Sequence, residues 1–253
     1  MRALVAMALF GAVALAACGD DDDSGGSGGR PQLVVSAASS LTEALEACSP
    51  RFEAADVKLS FAGSDELAAQ IRQGVRPDVF AAASTTLPEE LNAEGLLGKP
   101  REFVSNTLVV AVSKGAPIDS IEELADEGMK LAVGSEGTPI GDYTREVVGR
   151  LPADVARGLE ANVRSEEPDV KGIVAKVAQG AADAGFVYAS DVQAAAEELR
   201  AIPLPGELQP SVAYGAGVVD GASQPDLAAR YVDGLVEGDC YEELQRAGFG
   251  PLK

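Results

Sequence analysis

The stretch LVVSAASSLTEAL, residues 33–45, passes from a strand pattern to a helix pattern within a few positions. Its first six residues form a short apolar run of the kind that is buried in a sheet. Apolar side chains then recur at helical spacing, at Leu41, Leu45, Cys48 and Phe52. Pro50 would interrupt this helix, so a kink or a second short helix is expected there. The stretch therefore predicts a strand, a turn and a helix, the repeating unit of α/β folds.

The rest of the chain repeats this alternation. Apolar runs predict further strands at residues 57–62, 78–82, 107–113, 130–133, 184–187 and 213–219. Helical periodicity and capping residues predict helices at residues 66–73, 88–94, 120–127, 141–148, 169–179 and 191–199. This order favours a mainly parallel sheet with helices on both faces. On such sheets a small ligand binds beyond the carboxyl ends of the strands.

The first 17 residues predict an export signal. Their apolar run suits a signal-peptide core and is shorter than a membrane span. Small residues precede Cys18 and resemble a lipobox, which implies a lipoprotein signal peptide at residues 1–17 and a lipid on Cys18. The alternative is an ordinary signal peptide with an incidental cysteine. Residues 18–30, rich in Asp, Gly and Ser, predict a flexible tether, so we expect an extracytoplasmic protein that reaches the membrane only through a lipid anchor.

Charge and cysteine content narrow the possible partners and the compartment. The chain has 40 acidic and 20 basic residues, and such a surface repels nucleic acid. If Cys18 carries lipid, Cys48 and Cys240 remain as a pair in an oxidising compartment, where they are candidates for a disulfide. Two buried free thiols are the alternative.

Little in the sequence suggests catalysis. Histidine, the commonest general base and the commonest metal ligand, is absent from all 253 residues. The G-x-S-x-G, S-x-x-K, C-x-x-C, P-loop and dinucleotide-binding motifs are also absent. We therefore expect no enzyme activity, no cofactor and no metal site.

Two predicted helix starts offer an anion-binding arrangement instead. Ser40 follows the first predicted strand, and Ser64, in the segment FAGSD, follows the second. The N–H groups of a first helical turn have no partner within the helix and attract anions. The alternative is that each serine only caps its own helix, with Glu43 completing a capping box after Ser40.

Several stretches of the chain also have the residues of a known family. They are SAASSLTEAL (36–45), SFAGS (60–64), LAAQI (67–71), PDVFA (77–81), NTLVV (106–110), LAVG (131–134), PIGDY (139–143), DAGFVYASD (183–191) and GFG (248–250). Together they resemble the periplasmic molybdate-binding proteins of bacterial ABC importers. The likeness extends in order over nearly the whole chain after the tether.

The resemblance implies a two-lobed type II periplasmic binding protein fold with the ligand cleft between the lobes. Residues 31–108 and 217–253 would form the first lobe and residues 109–216 the second, with crossings near 105–112 and 209–219. The family holds a tetrahedral oxyanion through hydroxyl and backbone N–H groups. Matching motifs carry that role to Ser40, Ser64, Ile140, Val170 and Tyr188. The implied ligand is molybdate or tungstate, and the implied partners are a permease and an ATPase on separate chains. We expect a monomer.

Three departures from the family pattern leave the identity of the oxyanion open. Asp65 stands where glycine or serine is usual, Ile140 replaces a small alanine, and residues 84–86 replace an acidic segment. The alternatives are the same fold with sulfate, phosphate or an organic acid, and a surface lipoprotein that binds another protein. A serine hydrolase would need a base beside Ser40 or Ser64. By residue type alone, Ile140, Val170 and Tyr188 are ordinary core residues.

Overall fold

The computed structural model describes residues 29–252. The predicted signal peptide, Cys18 and most of the predicted tether lie outside these residues. The strands of the described part are β1 (Gln32–Ala38), β2 (Asp56–Ala62), β3 (Val79–Ala82), β4 (Arg101–Asn106), β5 (Leu108–Ser113), β6 (Leu131–Gly134), β7 (Val163–Glu167), β8 (Ala184–Tyr188), β9 (Leu199–Pro203) and β10 (Val212–Val218).

The helices of residues 29–252 are α1 (Thr42–Cys48), α2 (Ser64–Arg72), α3 (Thr86–Ala93), α4 (Pro139–Val148), α5 (Ala153–Asn162), α6 (Val170–Ala178), α7 (Ala189–Ala194), α8 (Pro225–Val236) and α9 (Asp239–Arg246). Short 3-10 turns occur at Ser39–Leu41, Ser49–Arg51, Glu122–Ala125 and Gly206–Leu208. Within residues 29–252, no helix is both long enough and apolar enough to cross a membrane.

The strands form two five-stranded sheets rather than one. The first sheet has the order β2-β1-β3-β10-β4, and the second has the order β7-β6-β8-β5-β9. In each sheet, three neighbouring strands are parallel and the other two pair antiparallel. The α/β class is confirmed, but both sheets are mixed: four strands of each run in one direction and the fifth, β10 or β5, runs in the other. Each reversed strand is the first one that the chain forms after it crosses from the other sheet.

The chain crosses between the two sheets twice. The first crossing is at Thr107, between β4 and β5, inside the predicted range. The return lies between β9 and β10, and β10 pairs with β3 and β4 of the first sheet. The predicted boundary at residue 217 therefore falls too late, because it divides β10, and Leu108 belongs to the second sheet. An apolar run predicts a strand but does not show which sheet the strand joins.

Two other local predictions also need correction. The helix predicted at residues 120–127 is only the 3-10 turn Glu122–Ala125, and the helix predicted at residues 191–199 begins at Ala189 and ends at Ala194. The patterns used above did not predict β4, β7, β9, α5, α8 or α9. Strand β7 has the sequence VRSEE and alternates between half-buried and exposed positions at a sheet edge, so it carries no apolar run.

Burial and a disulfide hold the first lobe together around β1. Leu33 and Val35 of β1 are fully buried, and the strand is covered by α1. Helix α1 ends at Cys48, and the expected kink is the 3-10 turn that contains Pro50. Cys48 is joined to Cys240 of α9 by a disulfide, with the two Cα atoms 4.9 Å apart. The link ties the C-terminal helices to the helix that follows the first strand.

Candidate functional site

A small cavity lies between the two lobes. Its walls come from the segments that follow the parallel strands, β1, β2 and β3 on one side and β6, β7 and β8 on the other. This is the position at which α/β sheets bind small ligands. The five predicted binding residues, Ser40, Ser64, Ile140, Val170 and Tyr188, all line the cavity.

Helices α4 and α6 begin at the cavity with their free N–H groups beside it. Thr138 caps α4 by accepting the N–H of Gly141 at 3.1 Å, and Asp169 caps α6 by accepting the N–H of Gly172 at 3.0 Å. These caps satisfy the third N–H of each helix and leave the earlier ones without an intrahelical partner. Because Pro139 has no N–H, the first donor of α4 is the amide of Ile140.

The first donor of α6 is the amide of Val170. Both residues line the cavity at the first turn of a helix, where backbone N–H groups have no intrahelical partner and the helix dipole is positive. Their side chains are 3% exposed and pack in the core, which explains why an apolar residue type is compatible with a polar role.

The two serine hydroxyls do not cap their own helices, so the capping alternative is wrong for both. Ser64 is the first residue of α2, and its Oγ accepts the backbone N–H of Ala83 at 3.0 Å. The Oγ of Ser40 lies 2.9 Å from the hydroxyl of Tyr214, a residue of β10. Neither serine is hydrogen-bonded to a basic side chain among the described residues.

Tyr188 supplies a further hydroxyl from the second lobe. The residue is 1% exposed, and its hydroxyl has no hydrogen-bond partner within residues 29–252. Its ring packs edge-on against Tyr143 and Tyr214, with centroids 6.4 and 5.8 Å away. Burial raises the pKa of Tyr188 well above its ordinary value, so the phenol keeps its proton. A buried donor of this kind needs an acceptor, which an ordered water or an oxygen of a bound ligand can supply.

The charged groups near the cavity are mostly acidic. No lysine or arginine lines the cavity in the described part of the chain, and Asp169 lines it as the cap of α6. Asp65 is not a lining residue, although its Oδ1 is buried without a hydrogen-bond partner among residues 29–252. Burial raises the pKa of Asp65 and favours the neutral form of its carboxyl group. Electrostatic attraction in this site must therefore come from dipoles and hydroxyls.

The lobes are in contact around the cavity, so the cleft is closed. A Cβ placed on Gly63 of the first lobe would lie 2.5 Å from the carbonyl oxygen of Pro168 of the second. Lys171 of α6 forms an ion pair with Glu43 of α1 at 2.7 Å. At the first crossing, the side-chain amide of Asn106 donates to the Oγ of Ser190 at 2.9 Å.

Lys171 also connects this contact to a buried carboxylate. Its Nζ lies 3.4 Å from Oδ1 of Asp191, whose side chain is fully buried. Burial raises the pKa of Asp191 to about 7, an effect that the nearby lysine partly opposes. The other oxygen of Asp191 accepts the N–H of Tyr188 at 3.3 Å, so this carboxylate also positions a cavity residue.

The model of the family described as bacterial extracellular solute-binding protein matches residues 33–250. The chain belongs to this family. The match confirms the expected class, a solute-binding protein that acts outside the cytoplasm.

Relatives and solved structures agree with this assignment. The solute-binding protein is 34% identical over 224 residues to the molybdate-binding protein ModA of Mycobacterium tuberculosis, covering 86% of this chain and 84% of the relative. That likeness confirms the resemblance to the molybdate-binding proteins.

Two solved structures show the same fold. The periplasmic molybdate-binding protein of Azotobacter vinelandii superposes with a TM-score of 0.74 at 22% identity, over 87% of this chain and all of that one. The sulfate-binding protein SubI of M. tuberculosis superposes with a TM-score of 0.78 at 15% identity, over 88% of each chain. Together with the two sheets and the cleft, they confirm the two-lobed binding-protein fold.

Other residues of the solute-binding protein's site were not predicted. Thr138 and Asp169 had a usable signal, because Thr before Pro and Asp before an apolar helix are both typical helix starts. Tyr214 had no such signal, since it lies inside a strand and contacts Ser40 across 174 positions of sequence. The proximity of Gly63 to Pro168 had no signal either, because it depends on the arrangement of the lobes.

Proposed function

We propose that this protein captures molybdate or tungstate outside the cytoplasm and delivers the anion to an ABC importer whose permease and ATPase are separate chains. The observation that carries the proposal is a small cavity between the lobes that is lined by neutral candidate hydrogen-bond donors from both of them. Fixed dipoles in a water-poor cleft stabilise a dianion without a buried lysine or arginine.

The hydrogen-bond directions favour an oxyanion that carries no proton. The Oγ of Ser64 already accepts a backbone N–H, so its own proton is free for the ligand. The amides of Ile140 and Val170 only donate, and the hydroxyl of Tyr188 is an unused donor in the described structure. Molybdate, tungstate and sulfate need donors alone at neutral pH, whereas hydrogen phosphate also needs an acceptor for its proton.

Sulfate remains the second candidate because it shares this shape and protonation state. The 34% identity to ModA of M. tuberculosis favours molybdate, since the similarity to the sulfate-binding SubI extends to the fold alone. The relevant physical difference is size, because a larger tetrahedral anion reaches donors on both lobes at once. The protein acts by binding and release, with no chemical step.

We further propose that the protein is a monomeric lipoprotein held to the membrane through Cys18. The support is the small-residue run before Cys18 and the acidic, Gly-rich and Ser-rich segment after it. A Cys18→Ser variant should move from the membrane fraction to the soluble fraction of the expressing cells. Retention of that variant in the membrane would argue against the lipid anchor.

The ligand is tested by calorimetric titration of the chain from residue 29 onward with molybdate, tungstate, sulfate and phosphate. We expect one-to-one binding of molybdate or tungstate with much weaker responses to the other two. Ser40→Ala and Ser64→Ala should each weaken binding about 10- to 150-fold, the cost of one hydrogen bond to a charged group. Ser223→Ala is the control, because Ser223 is exposed and lies outside the cavity. No heat with any of the four anions would overturn the proposed ligand.

A further inference from the structure

Asp191 is a buried carboxyl group directly behind the cavity. Its side chain is fully buried, and it does not itself line the cavity. One oxygen, Oδ2, accepts the N–H of Tyr188 at 3.3 Å, and Tyr188 does line the cavity. The other oxygen, Oδ1, is buried without a hydrogen-bond partner among residues 29–252. Burial of this kind disfavours the charged form of a carboxyl group.

Lys171 supplies positive charge to Asp191 but shares it with the other lobe. Its Nζ lies 3.4 Å from Oδ1 of Asp191, and 2.7 and 2.9 Å from the two carboxylate oxygens of Glu43. Lys171 and Asp191 belong to the second lobe, whereas Glu43 belongs to the first. The contact with Glu43 is therefore set by how the lobes meet, while the contact with Asp191 is set within one lobe.

Closure on an anion changes the charge balance around Asp191. When Glu43 and Asp191 are both ionised, one ammonium group faces two carboxylates. A molybdate dianion in the cavity adds two further negative charges beside Tyr188. Protonation of Asp191 leaves Lys171 and Glu43 as a neutral pair and removes the buried negative charge that repels the ligand.

We propose that Asp191 takes up a proton from the solvent when the lobes close on the anion, so that capture of the ligand is linked to pH. The proton adds to Oδ1, because Oδ2 accepts the N–H of Tyr188. Lower pH then favours the closed, liganded protein, and higher pH favours release. The inference rests on the proposed function, and it adds a regulatory group to that site.

The groups around Asp191 are compatible with this titration. Burial raises the pKa of Asp191 to about 7, and Lys171 partly opposes the increase. Four titratable groups face Asp191 from α6, α1, β8 and β10: Lys171, Glu43, Tyr188 and Tyr214. Burial holds the pKa of both tyrosines well above its ordinary value, so the phenols stay neutral. Strand β5 carries no titratable side chain, and Arg200 of β9 pairs with Asp119 instead.

The composition of the chain makes this proton measurable. The chain from residue 29 onward contains no histidine, and its two cysteines, Cys48 and Cys240, form the disulfide. Side chains with an ordinary pKa therefore do not titrate between about pH 6 and pH 8, where only the α-amino group changes charge. A proton taken up on ligand binding in this range thus indicates a side chain with a shifted pKa.

Calorimetric titration in buffers of different ionisation enthalpy counts the protons taken up. Between about pH 6 and pH 8 molybdate stays a dianion, so the ligand itself takes up no proton. If binding raises the pKa of Asp191 by about one unit, we expect uptake of about half a proton per anion near pH 7. Molybdate affinity should fall about 5- to 10-fold between about pH 6 and pH 8.

Asp191→Asn tests the assignment, because an amide has nearly the same shape and its oxygen can still accept the N–H of Tyr188. This variant should bind molybdate without proton uptake and with an affinity that does not depend on pH. The matched control is Asp65→Asn. Burial also raises the pKa of Asp65, whose Oδ1 lies beside the contact between Gly63 and Pro168. The control should keep the proton uptake of the parent.

Lys171→Met separates a titrating Asp191 from a merely structural one. The substitution removes the cation that faces Oδ1, so the pKa of Asp191 rises further. The pH range over which molybdate affinity falls should therefore move to higher pH. A structural role for Asp191 alone would not move this range. If Asp191→Asn does not fold, the titration of Lys171→Met decides.

Three results would overturn the inference. They are binding of molybdate by the parent without proton uptake, uptake that persists in Asp191→Asn, and an unchanged pH range in Lys171→Met. Each of them leaves the proposed function intact, because molybdate still binds. Silence of the parent towards all four anions would instead reject the proposed function, and the inference with it.

Discussion

Gly63→Ala should interfere with the contact between the two lobes more strongly than with the first lobe itself. The added Cβ would lie 2.5 Å from the carbonyl oxygen of Pro168, and real Cβ atoms essentially never approach closer than 3.0 Å. The lobes must therefore separate by at least about 0.5 Å at this point, since Pro168 offers a backbone atom rather than a flexible side chain. Gly63 has φ −58° and ψ 138°, which alanine adopts without strain.

The size of the effect follows from the cost of overpacking. A methyl group forced into a filled contact costs about 1–3 kcal/mol, which corresponds to about 5- to 150-fold in affinity. Titration of molybdate into the parent and the variant measures this loss. Unfolding of the ligand-free variant should change less than ligand binding does. The nearest atom of the first lobe is Oδ1 of Asp65, 2.8 Å from the added Cβ, and it is the end of a side chain that can rotate, whereas Pro168 of the second lobe offers backbone. Gly206→Ala is the matched control, since a Cβ there meets no atom within 4 Å.

Two results would refute the reasoning about Gly63. Unchanged molybdate affinity would mean that the lobes do not approach this closely around the anion. An equal loss of stability in the ligand-free protein would mean that alanine disturbs the first lobe itself. X-ray scattering of the two liganded proteins adds an independent measure, because the variant should retain a slightly larger radius of gyration.

Three further predictions concern contacts around the cleft. Lys171→Met removes the ion pair with Glu43 across the lobes and should weaken molybdate binding a few-fold at low salt. The difference in affinity between variant and parent should shrink at high ionic strength, and a loss of affinity that does not depend on salt would contradict this prediction. Asp191 has a pKa raised from 3.8 to about 7 by burial, so its contribution to stability falls as pH rises through this range and is constant above it. The unfolding free energy of Asp191→Asn, relative to that of the parent, should therefore rise by up to about 4 kcal/mol as the pH increases from about 4 to about 8. A difference in unfolding free energy that does not depend on pH would contradict this prediction. Replacing both Cys48 and Cys240 by serine should lower the free energy of unfolding by about 2–5 kcal/mol. The stability of this variant should not depend on reductant, and a stability that still responds to reductant would contradict the prediction.

The donors of the site differ in how far the sequence predicts them. Ser40 and Ser64 could be found from residue patterns, because each is a hydroxyl at a predicted helix start after a predicted strand. Ile140 and Val170 could not, since they are placed to donate through backbone N–H groups and their side chains look like core residues. Only the family resemblance identified them. A binding site that uses backbone amides is therefore difficult to predict from the chemistry of its side chains.

The arrangement of the lobes shows a similar limit. The apolar run at residues 213–219 predicted the strand β10. Its position in the first sheet, however, depends on pairing with β3 and β4, which are far away in sequence. Strand β7 was not predicted because an edge strand tolerates charged residues at alternating positions and so needs no apolar run. Local preference decides where such strands form, whereas long-range pairing decides how they are ordered.

The division of donors between the lobes links closure to affinity in a chain of net charge −20. Ser40 and Ser64 belong to the first lobe, while Ile140, Val170 and Tyr188 belong to the second. An open cleft presents only part of this set, and no lysine or arginine lines the cavity within residues 29–252 to retain the anion. The surrounding carboxylates then repel a dianion that is no longer enclosed. A site of neutral donors in an acidic protein therefore holds its ligand when closed and releases it on opening, which is what delivery to an importer requires.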